Sequence, residues 1–449
     1  MIRSEPVRQE LRATLRLAAP VVLVQLGSML MGMVDTLMVG HLSAEALAAA
    51  ALAHIFVITV LMLGAGILQA LDPLITQAYG AGDVHGVGDH LLRGIVMAAA
   101  LSLPISLLML DTREALALLG QQPEVIDGAA GYIRAVIWGN LPFFLFTVVR
   151  LTLQTQSIVR PAVMAMVIGN VVNVIVNYSL IFGKFGMPAL GVVGSAYSTA
   201  LSRWCMCLYL VIASRRALAP YWRGFTGAAA SLRHYTRLLR LGVPIGLHNS
   251  LELCLFLTVA LLIGQMGVAQ LAGHQIALNL SAISFMVPLG IGGAAATRVG
   301  NAIGRGDMPG ARRAAAVSLG LGAGAMALFG LLFASAPRPL ASLYTDDAAV
   351  LAMAVALLPI AAAFQIFDGV QVVSAGILRG SADTTYPAAL ALFGFWALGL
   401  PGGWYMAVPL GLGPRGLWWG LTLGLGAVSA LFVLRIVTRF RSHISREMG

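Results

Sequence analysis

Charged residues are scarce in this chain of 449 residues, where they make up only 10%, and Lys184 is the only lysine. Soluble globular proteins carry roughly 25% charged residues, so the composition excludes a soluble globular fold. Hydrophobic residues make up 59% of the chain. The formal net charge of +10 comes from arginines between the apolar runs, and we expect no nucleic-acid partner.

Cysteine is also scarce, and the histidines are scattered. The three cysteines, Cys205, Cys207 and Cys254, all lie in apolar runs, which argues against a disulfide framework and against a metal site. The sequence shows no His/Glu cluster with metal-ligand spacing and no Ser–Lys pair. We therefore expect neither an enzyme nor a bound cofactor.

Long apolar runs dominate the chain instead. About 20 apolar residues cross the hydrocarbon core of a bilayer, so we predict an all-α integral membrane protein with twelve transmembrane helices. Glycine and proline inside the runs do not argue against helix, because membrane helices tolerate both. The predicted spans are 14–38, 47–71, 91–110, 130–152, 162–183, 190–213, 239–263, 271–297, 314–336, 349–378, 386–409 and 416–437.

The second half of the sequence repeats the first with an offset of 224 residues. The Gly-x-Gly-Asp motif of 80–83 returns at 304–307, and the Arg-x-x-x-Pro motif of 16–20 returns at 240–244. A later match between Gly191 and Gly413 has slipped by two residues. Six spans per repeat give both halves the same orientation, a plan typical of secondary transporters. The predicted parts are an N-terminal six-helix lobe at 1–213, a cytoplasmic linker at 214–238 and a C-terminal six-helix lobe at 239–449.

The distribution of arginine predicts the orientation in the membrane. In a twelve-span count, the N-terminus, the central linker, the loop after the eighth span and the C-terminus share one side and carry most arginines. The positive-inside rule places that side, with both termini, in the cytoplasm. Residues 1–13 are polar and the first apolar run is full length, so we expect no signal peptide.

Three acidic residues lie inside predicted spans: Asp35 in the first, Glu252 in the seventh and Asp368 in the tenth. A carboxylate at membrane depth costs about 2.5 kcal/mol or more, so it tends to face a polar cavity and to be functional. For Asp35, which lies five residues before Gly40, the alternative is an acid that reaches interfacial water. We predict that all three acids bind cargo or a coupling cation.

Amides and a hydroxyl accompany Asp35 in the N-terminal half. Asn170, Asn173 and Asn177 share one face of the fifth span, and Thr199 lies in the sixth. Hard monovalent cations prefer carboxylate, amide and hydroxyl oxygens, so Asp35, Asn173, Asn177 and Thr199 form a candidate Na⁺ site. The alternative is interhelical hydrogen bonding by the asparagines. Both interpretations stay open on the sequence.

A second polar patch is predicted in the C-terminal half. It consists of His274, Gln275 and Asn279 in the eighth span and Gln371 in the tenth. We predict that Gln275, Asn279 and Gln371 bind substrate together with the acids. His54 and His248 are interpreted as packed structural residues, and Arg203 in the sixth span has no assigned role.

Five stretches of the sequence form recognisable motifs. They are Met33-Val34-Asp35-Thr36-Leu37-Met38-Val39-Gly40, Gly273-His274-Gln275-Ile276-Ala277-Leu278-Asn279, Arg298-Val299-Gly300, Asp368-Gly369-Val370-Gln371-Val372-Val373 and Gly376-Ile377-Leu378-Arg379-Gly380. Together they resemble the multidrug and toxic compound extrusion (MATE) family, and the resemblance is nearest to its bacterial NorM branch. It implies a two-lobed, MATE-like fold in the bacterial inner membrane that exports cationic amphipathic drugs in exchange for Na⁺ or H⁺.

The resemblance also implies roles for individual residues. The three membrane acids of the branch fall on Asp35, Glu252 and Asp368. Its proposed cation ligands fall on Asp35, Asn173, Asn177 and Thr199. The chain departs from the branch at Asp72, where an uncharged residue is usual, and at 249–251, where apolar and aromatic residues are usual.

We predict a drug–cation antiporter that works by alternating access in the lipid bilayer as a monomer. The alternative is a flippase or exporter of a lipid-linked or metabolite substrate with the same two-lobe architecture. An anionic lipid-linked cargo would favour cationic residues within the spans, whereas acids dominate there.

Overall fold

The computed structural model describes residues 5–118, 123–222, 232–441 and 444, which form helices and turns without a strand. The helices of the first half are α1 (Glu5–Gly40), α2 (Ala44–Leu68), α3 (Leu71–Gly80), α4 (Val84–Leu108), α5 (Thr112–Leu118), α6 (Pro123–Val136), α7 (Asn140–Thr155), α8 (Arg160–Phe182) and α9 (Gly191–Trp222). Those of the second half are α10 (Leu232–Gly264), α11 (Val268–Gly304), α12 (Met308–Ser335), α13 (Pro337–Ser342), α14 (Ala348–Gly380), α15 (Thr385–Ala391), α16 (Leu400–Ala407) and α17 (Pro414–Arg439).

Twelve helical segments within the described ranges are long and apolar enough to cross a membrane, which confirms the predicted number. Three segments are composite, because α2 continues into α3, α6 into α7 and α15 into α16. Several helices extend beyond the predicted spans: α1 begins at Glu5 and α11 ends at Gly304. Hydropathy marks only the apolar part of a helix, and the backbone stays helical through the polar residues at its ends.

The turns before α4 and α12 have the same geometry. Gly82 and Gly306 both have φ of +76°, a left-handed conformation that glycine adopts without steric cost. Asp83 and Asp307 follow them as N-caps, and each carboxylate accepts the backbone N–H three residues later at 2.8 Å. Such caps satisfy a helix donor that has no partner inside the helix. The repeat predicted from the Gly-x-Gly-Asp motif is thus present in the backbone.

The later match in the repeat is also visible in the backbone. Gly191 begins α9 and Gly413 precedes α17, and their φ angles are +55° and +57°. The two glycines therefore have nearly the same positive φ at the start of the last transmembrane helix of each half, with the two-residue slip found in the sequence.

The described residues form two compact units. The N-unit runs from Leu23 to Gly246, and the C-unit takes the residues up to Val22 together with those from Leu247 onward. Both boundaries lie inside a helix, α1 or α10, and they obey the 224-residue offset of the sequence repeat. The predicted linker at 214–238 contains the end of α9 and the start of α10, and residues 223–231 of it lie outside the described ranges.

Glycines set the close approach of α11 and α14 in the C-unit. A Cβ atom on Gly376 would lie 2.2 Å from the carbonyl oxygen of Gly292, and one on Gly380 would lie 2.5 Å from that of Ala296. Small residues four apart let membrane helices pack backbone to backbone. This contact fixes the position of α14, which carries Asp368.

Candidate functional site

Asp35 is the centre of a hydrogen-bonded cluster in the N-unit. Thr199 of α9 donates its hydroxyl to Oδ2 at 2.7 Å. The side-chain amides of Asn173 and Asn177, both on α8, donate to Oδ1 at 2.9 and 2.6 Å. Asp35 is only 8% exposed and both asparagines are fully buried. The structure thus brings together the four residues of the candidate Na⁺ site.

Asn170 shares the helix face of this cluster but has a different partner. Its amide donates to the backbone carbonyl of Gly27 on α1 at 3.1 Å and to that of Met166 at 2.9 Å. All three asparagines therefore form hydrogen bonds from α8 to α1, and cation binding by Asn173 and Asn177 stays a prediction. Asn170 joins two helices, whereas Asn173 and Asn177 bind the carboxylate.

In this arrangement the neighbouring side chains point hydrogen-bond donors at the Asp35 carboxylate. Oδ1 of Asn173 accepts the amide of Asn177 at 3.1 Å, and Oδ1 of Asn177 is buried without a partner among the described residues. A monovalent cation binds to oxygen, so it would need these amides to turn over and present Oδ1 beside the carboxylate. The residues fit a cation site with one carboxylate, two amide oxygens and one hydroxyl.

Arg203 lies one turn beyond Thr199 on α9. Its guanidinium carbon is 5.1 Å from the centre of the Phe143 ring, a distance that permits a cation–π interaction. Its Nη1 is buried without a hydrogen-bond partner among the described residues. Arg203 thus places a positive charge inside the N-unit beside the Asp35 cluster, where the sequence assigned it no role.

Glu252 of α10 and Asp368 of α14 are the acids of the C-unit. Asp368 is 3% exposed, and the Glu252 side chain is 16% exposed. The two carboxyl groups interact electrostatically, and within the described ranges neither pairs with lysine or arginine. Carboxyl groups in such apolar surroundings, without a lysine or arginine partner in the described ranges, attract cations or protons.

His248 joins this site, although the sequence interpretation treated it as a packing residue. Its Nε2 is 3.1 Å from Nε2 of Gln371 and 3.8 Å from Oε2 of Glu252. Its ring also packs 6.2 Å from that of Phe432, so the packing interpretation was incomplete. The four-residue spacing between His248 and Glu252, which puts both on one helix face, is the sequence signal that could have identified it.

The other predicted substrate residues divide into two groups. Gln371 is fully buried and contacts the imidazole of the C-unit site. Gln275 and Asn279 are exposed on α11, and neither forms a hydrogen bond with another described residue. His274, on the same helix, is buried and accepts a hydrogen bond from the Trp418 indole at 3.1 Å.

The structure shows the surroundings of the two positions at which the sequence departs from the NorM branch, Asp72 and 249–251. Asp72 is buried in the first turn of α3, where a negative charge suits the positive end of the helix dipole. In the polar stretch at 249–251, the backbone carbonyl of Leu251 accepts the indole N–H of Trp396 at 3.2 Å. This contact joins α10 to the π-helical segment Leu392–Gly399.

Comparison with known proteins agrees with this architecture. The profile of the MatE family matches residues 20–179 and 244–405. The chain is 37% identical to multidrug resistance protein MdtK of Edwardsiella ictaluri (strain 93-146), covering 95% of each protein. It is 38% identical to multidrug resistance protein NorM of Burkholderia vietnamiensis, covering 96% of this chain and 95% of NorM.

Solved structures show the same fold. The eukaryotic MATE transporter AtDTX14 has a TM-score of 0.88 and 24% identity, with 97% of this chain and 98% of that chain covered. An outward-facing multidrug resistance MATE family transporter of the MOP superfamily has a TM-score of 0.86 and 20% identity, with 96% of each chain covered. The matched family segments, the relatives and the twelve apolar helices together identify a multi-pass inner-membrane transporter. This chain belongs to the MatE family, the multidrug and toxic compound extrusion transporters.

Proposed function

We propose that this protein is a secondary active multidrug efflux transporter that exports cationic amphipathic drugs in exchange for Na⁺ or H⁺ by alternating access. The observation that carries the proposal is the set of three acids inside the spans: Asp35 and Asp368 are buried, and the Glu252 side chain is 16% exposed. Within the described ranges none of them forms an ion pair with lysine or arginine, although Arg203 acts on Asp35 electrostatically. Buried carboxyl groups of this kind suit cationic ligands. The relatives named as multidrug resistance proteins support drugs as the cargo.

The Asp35 cluster is our candidate for the coupling ion in the N-unit. Its carboxylate binds a proton directly, and with Asn173, Asn177 and Thr199 it supplies oxygen ligands for Na⁺. The cluster is buried, so an ion bound there is shielded from competing solvent. Binding and release of that ion then bias the conformation of the transporter, because a ligand shifts an equilibrium by its differential affinity for two states.

The C-unit acids are our candidate for the drug site of that unit, together with Gln275, Asn279 and Gln371. Asp35 is a separate candidate for drug binding in the N-unit. Glu252 and Asp368 supply negative charge, and Gln371 adds a hydrogen-bonding group beside them. The spans are rich in leucine, methionine and phenylalanine, which suit the apolar part of an amphipathic drug. We further propose that both termini are cytoplasmic and that the protein functions as a monomer.

Efflux of ethidium from energised membrane vesicles tests this function, with Na⁺ and pH gradients imposed separately. We expect at least one gradient to drive efflux by the unmodified protein. Asp35→Asn, Glu252→Gln and Asp368→Asn should each lose this efflux at normal membrane abundance, since they keep shape but remove a charge. Glu45→Gln, in an exposed first turn of α2, is the matched control and should transport normally.

Absence of efflux by well-expressed unmodified protein under both gradients would refute export of this cation. Near-normal transport by one acid variant would remove that residue from the proposed mechanism. Survival of all three variants would refute the site assignment as a whole.

A further inference from the structure

Two helices of the C-unit place four polar side chains together in a buried region. His248 and Glu252 lie one turn apart on α10, and Asp368 and Gln371 lie one turn apart on α14. The His248 side chain is 9% exposed, that of Glu252 is 16% exposed, and Gln371 is fully buried. Polar groups in such surroundings are expected to be hydrogen-bonded or to bind a ligand.

The amide nitrogen of Gln371 faces the imidazole of His248. The Gln371 atom 3.1 Å from Nε2 of the imidazole is the amide nitrogen, which can only donate. Nε2 therefore accepts, and the imidazole is neutral. The amide oxygen of Gln371 is left buried without a partner among the described residues.

One added proton would supply the counter-charge that the two carboxyl groups lack. With a proton on Nε2, the Gln371 amide turns over so that its oxygen accepts the new N–H, and its NH₂ group takes the buried place of the oxygen. The same proton places a positive charge near Oε2 of Glu252, which is 3.8 Å away. Two buried carboxyl groups that lack a lysine or arginine partner in the described ranges thereby acquire a counter-charge.

The charged groups around the ring come from two helices. Glu252 lies on α10, while Asp368 and Arg379 lie on α14, and Arg379 acts on the imidazole electrostatically. The α17 residue against the ring is Phe432, which carries no charge. Glu252, whose Oε2 is 3.8 Å from Nε2, favours a positive imidazole, whereas Arg379 opposes it.

We propose that His248 and Glu252 form a proton-binding pair in the C-unit. The proton reaches Nε2 of His248 through the more exposed Glu252 carboxylate, and the charge of the pair rises from −1 to zero. The inference rests on the proposed function and names the proton as the coupling ion of this unit. A cationic drug that binds Glu252 displaces this proton, because both neutralise the same carboxylate.

Nitrogen-15 NMR of histidine-labelled protein in liposomes tests the pair without any drug. Between about pH 3 and about pH 8, a range wide enough for a buried imidazole, we expect one imidazolium signal that is absent from His248→Gln. Glu252→Gln should move the titration of this signal to lower pH, because it removes the nearest negative charge. The exposed His41→Gln serves as the matched control and should leave the signal in place. His248→Asn repeats the test if His248→Gln does not fold.

A His248 imidazole that stays neutral throughout this range would overturn the proposal, as would a titration that Glu252→Gln does not change. Transport provides the second readout. His248→Gln should reduce efflux driven by a pH gradient by about tenfold, within the usual range of coupling between two ligands. Ethidium efflux that is absent even from the unmodified protein would refute the drug-export function, whereas the NMR result would still decide whether the pair binds a proton.

Discussion

Glu10 and Arg298 form a two-pronged ion pair within the C-unit. Nε of Arg298 lies 2.8 Å from Oε1 of Glu10, and Nη2 lies 2.7 Å from Oε2. The Glu10 side chain is 8% exposed and that of Arg298 is 25% exposed. Parallel charge-assisted hydrogen bonds of this kind are strong and directional. The pair therefore holds the start of α1 on α11.

The variant Glu10→Gln should destabilise the protein. It removes the charge that compensates a half-buried guanidinium, and loss of a hydrogen bond to a charged group costs about 2 kcal/mol. Thermal denaturation in detergent, followed by intrinsic fluorescence, measures the change in the unfolding midpoint. Glu5→Gln, at an exposed position of the same helix, is the control. Equal midpoints for Glu10→Gln and the unmodified protein would mean that the pair contributes no stability.

The repeated turns predict the side on which two loops lie. Asp83 and Asp307 occupy equivalent caps, and an even number of spans separates them. Single cysteines at these two positions, in a chain without its three native cysteines, should react with a membrane-impermeant maleimide only from the cytoplasmic side. A cysteine at Glu45, in the first turn of α2 at the opposite end of the spans, should react only from outside. Labelling of Asp83→Cys or Asp307→Cys from outside would contradict the predicted topology.

The sequence predicted the membrane helices and the repeat because both depend on local composition. Apolar runs long enough to span a bilayer are visible without any knowledge of packing, and so is the Gly-x-Gly-Asp turn. The partners of individual polar residues are different. Asn170 and Asn173 share a face of α8, yet one meets the backbone of Gly27 and the other meets Asp35. That choice depends on the register of α1 against α8, which is a property of packing.

His248 and Arg203 are two further residues whose partners could not be predicted from the sequence. A lone histidine in an apolar run is usually a packing residue, and its contact with Gln371 arises only when α10 meets α14. Arg203 had no partner in the sequence because its partner is the Phe143 ring. Aromatic rings are common in membrane spans, so sequence alone does not single out this one.

The contact between α11 and α14 should tolerate no side chain at Gly376. A methyl group there would overlap the Gly292 carbonyl, and overpacking of this kind costs about 1–3 kcal/mol. We expect Gly376→Ala to lower the unfolding midpoint and the yield of folded protein, measured by size-exclusion chromatography. Gly324→Ala is the matched control, since a Cβ there meets nothing within 4 Å. Equal behaviour of the two variants would show that α11 and α14 can separate without loss.

Replacing Thr199 with valine should change the ion dependence of transport and leave the fold intact. Valine keeps the shape of threonine but removes the hydroxyl that donates to Asp35 at 2.7 Å. A hydrogen bond to a charged group is worth about 1.5–3 kcal/mol, which corresponds to roughly tenfold or more in ion affinity. Thr152→Val is the control, because among the described residues this buried hydroxyl bonds only to the Val148 carbonyl of its own helix, at 3.0 Å.

The direction of the change identifies the ion. If Na⁺ binds at Asp35, the hydroxyl oxygen is a ligand, and Thr199→Val should need roughly tenfold more Na⁺ for half-maximal efflux. If a proton binds there, the hydroxyl competes with it by stabilising the free carboxylate, and the variant should need fewer protons. Efflux measured across a Na⁺ series at fixed pH, and across a pH series without Na⁺, separates the two. An unchanged response in both series would mean that Thr199 does not take part in ion binding, and the Asp35 cluster would then be a structural network of hydrogen bonds.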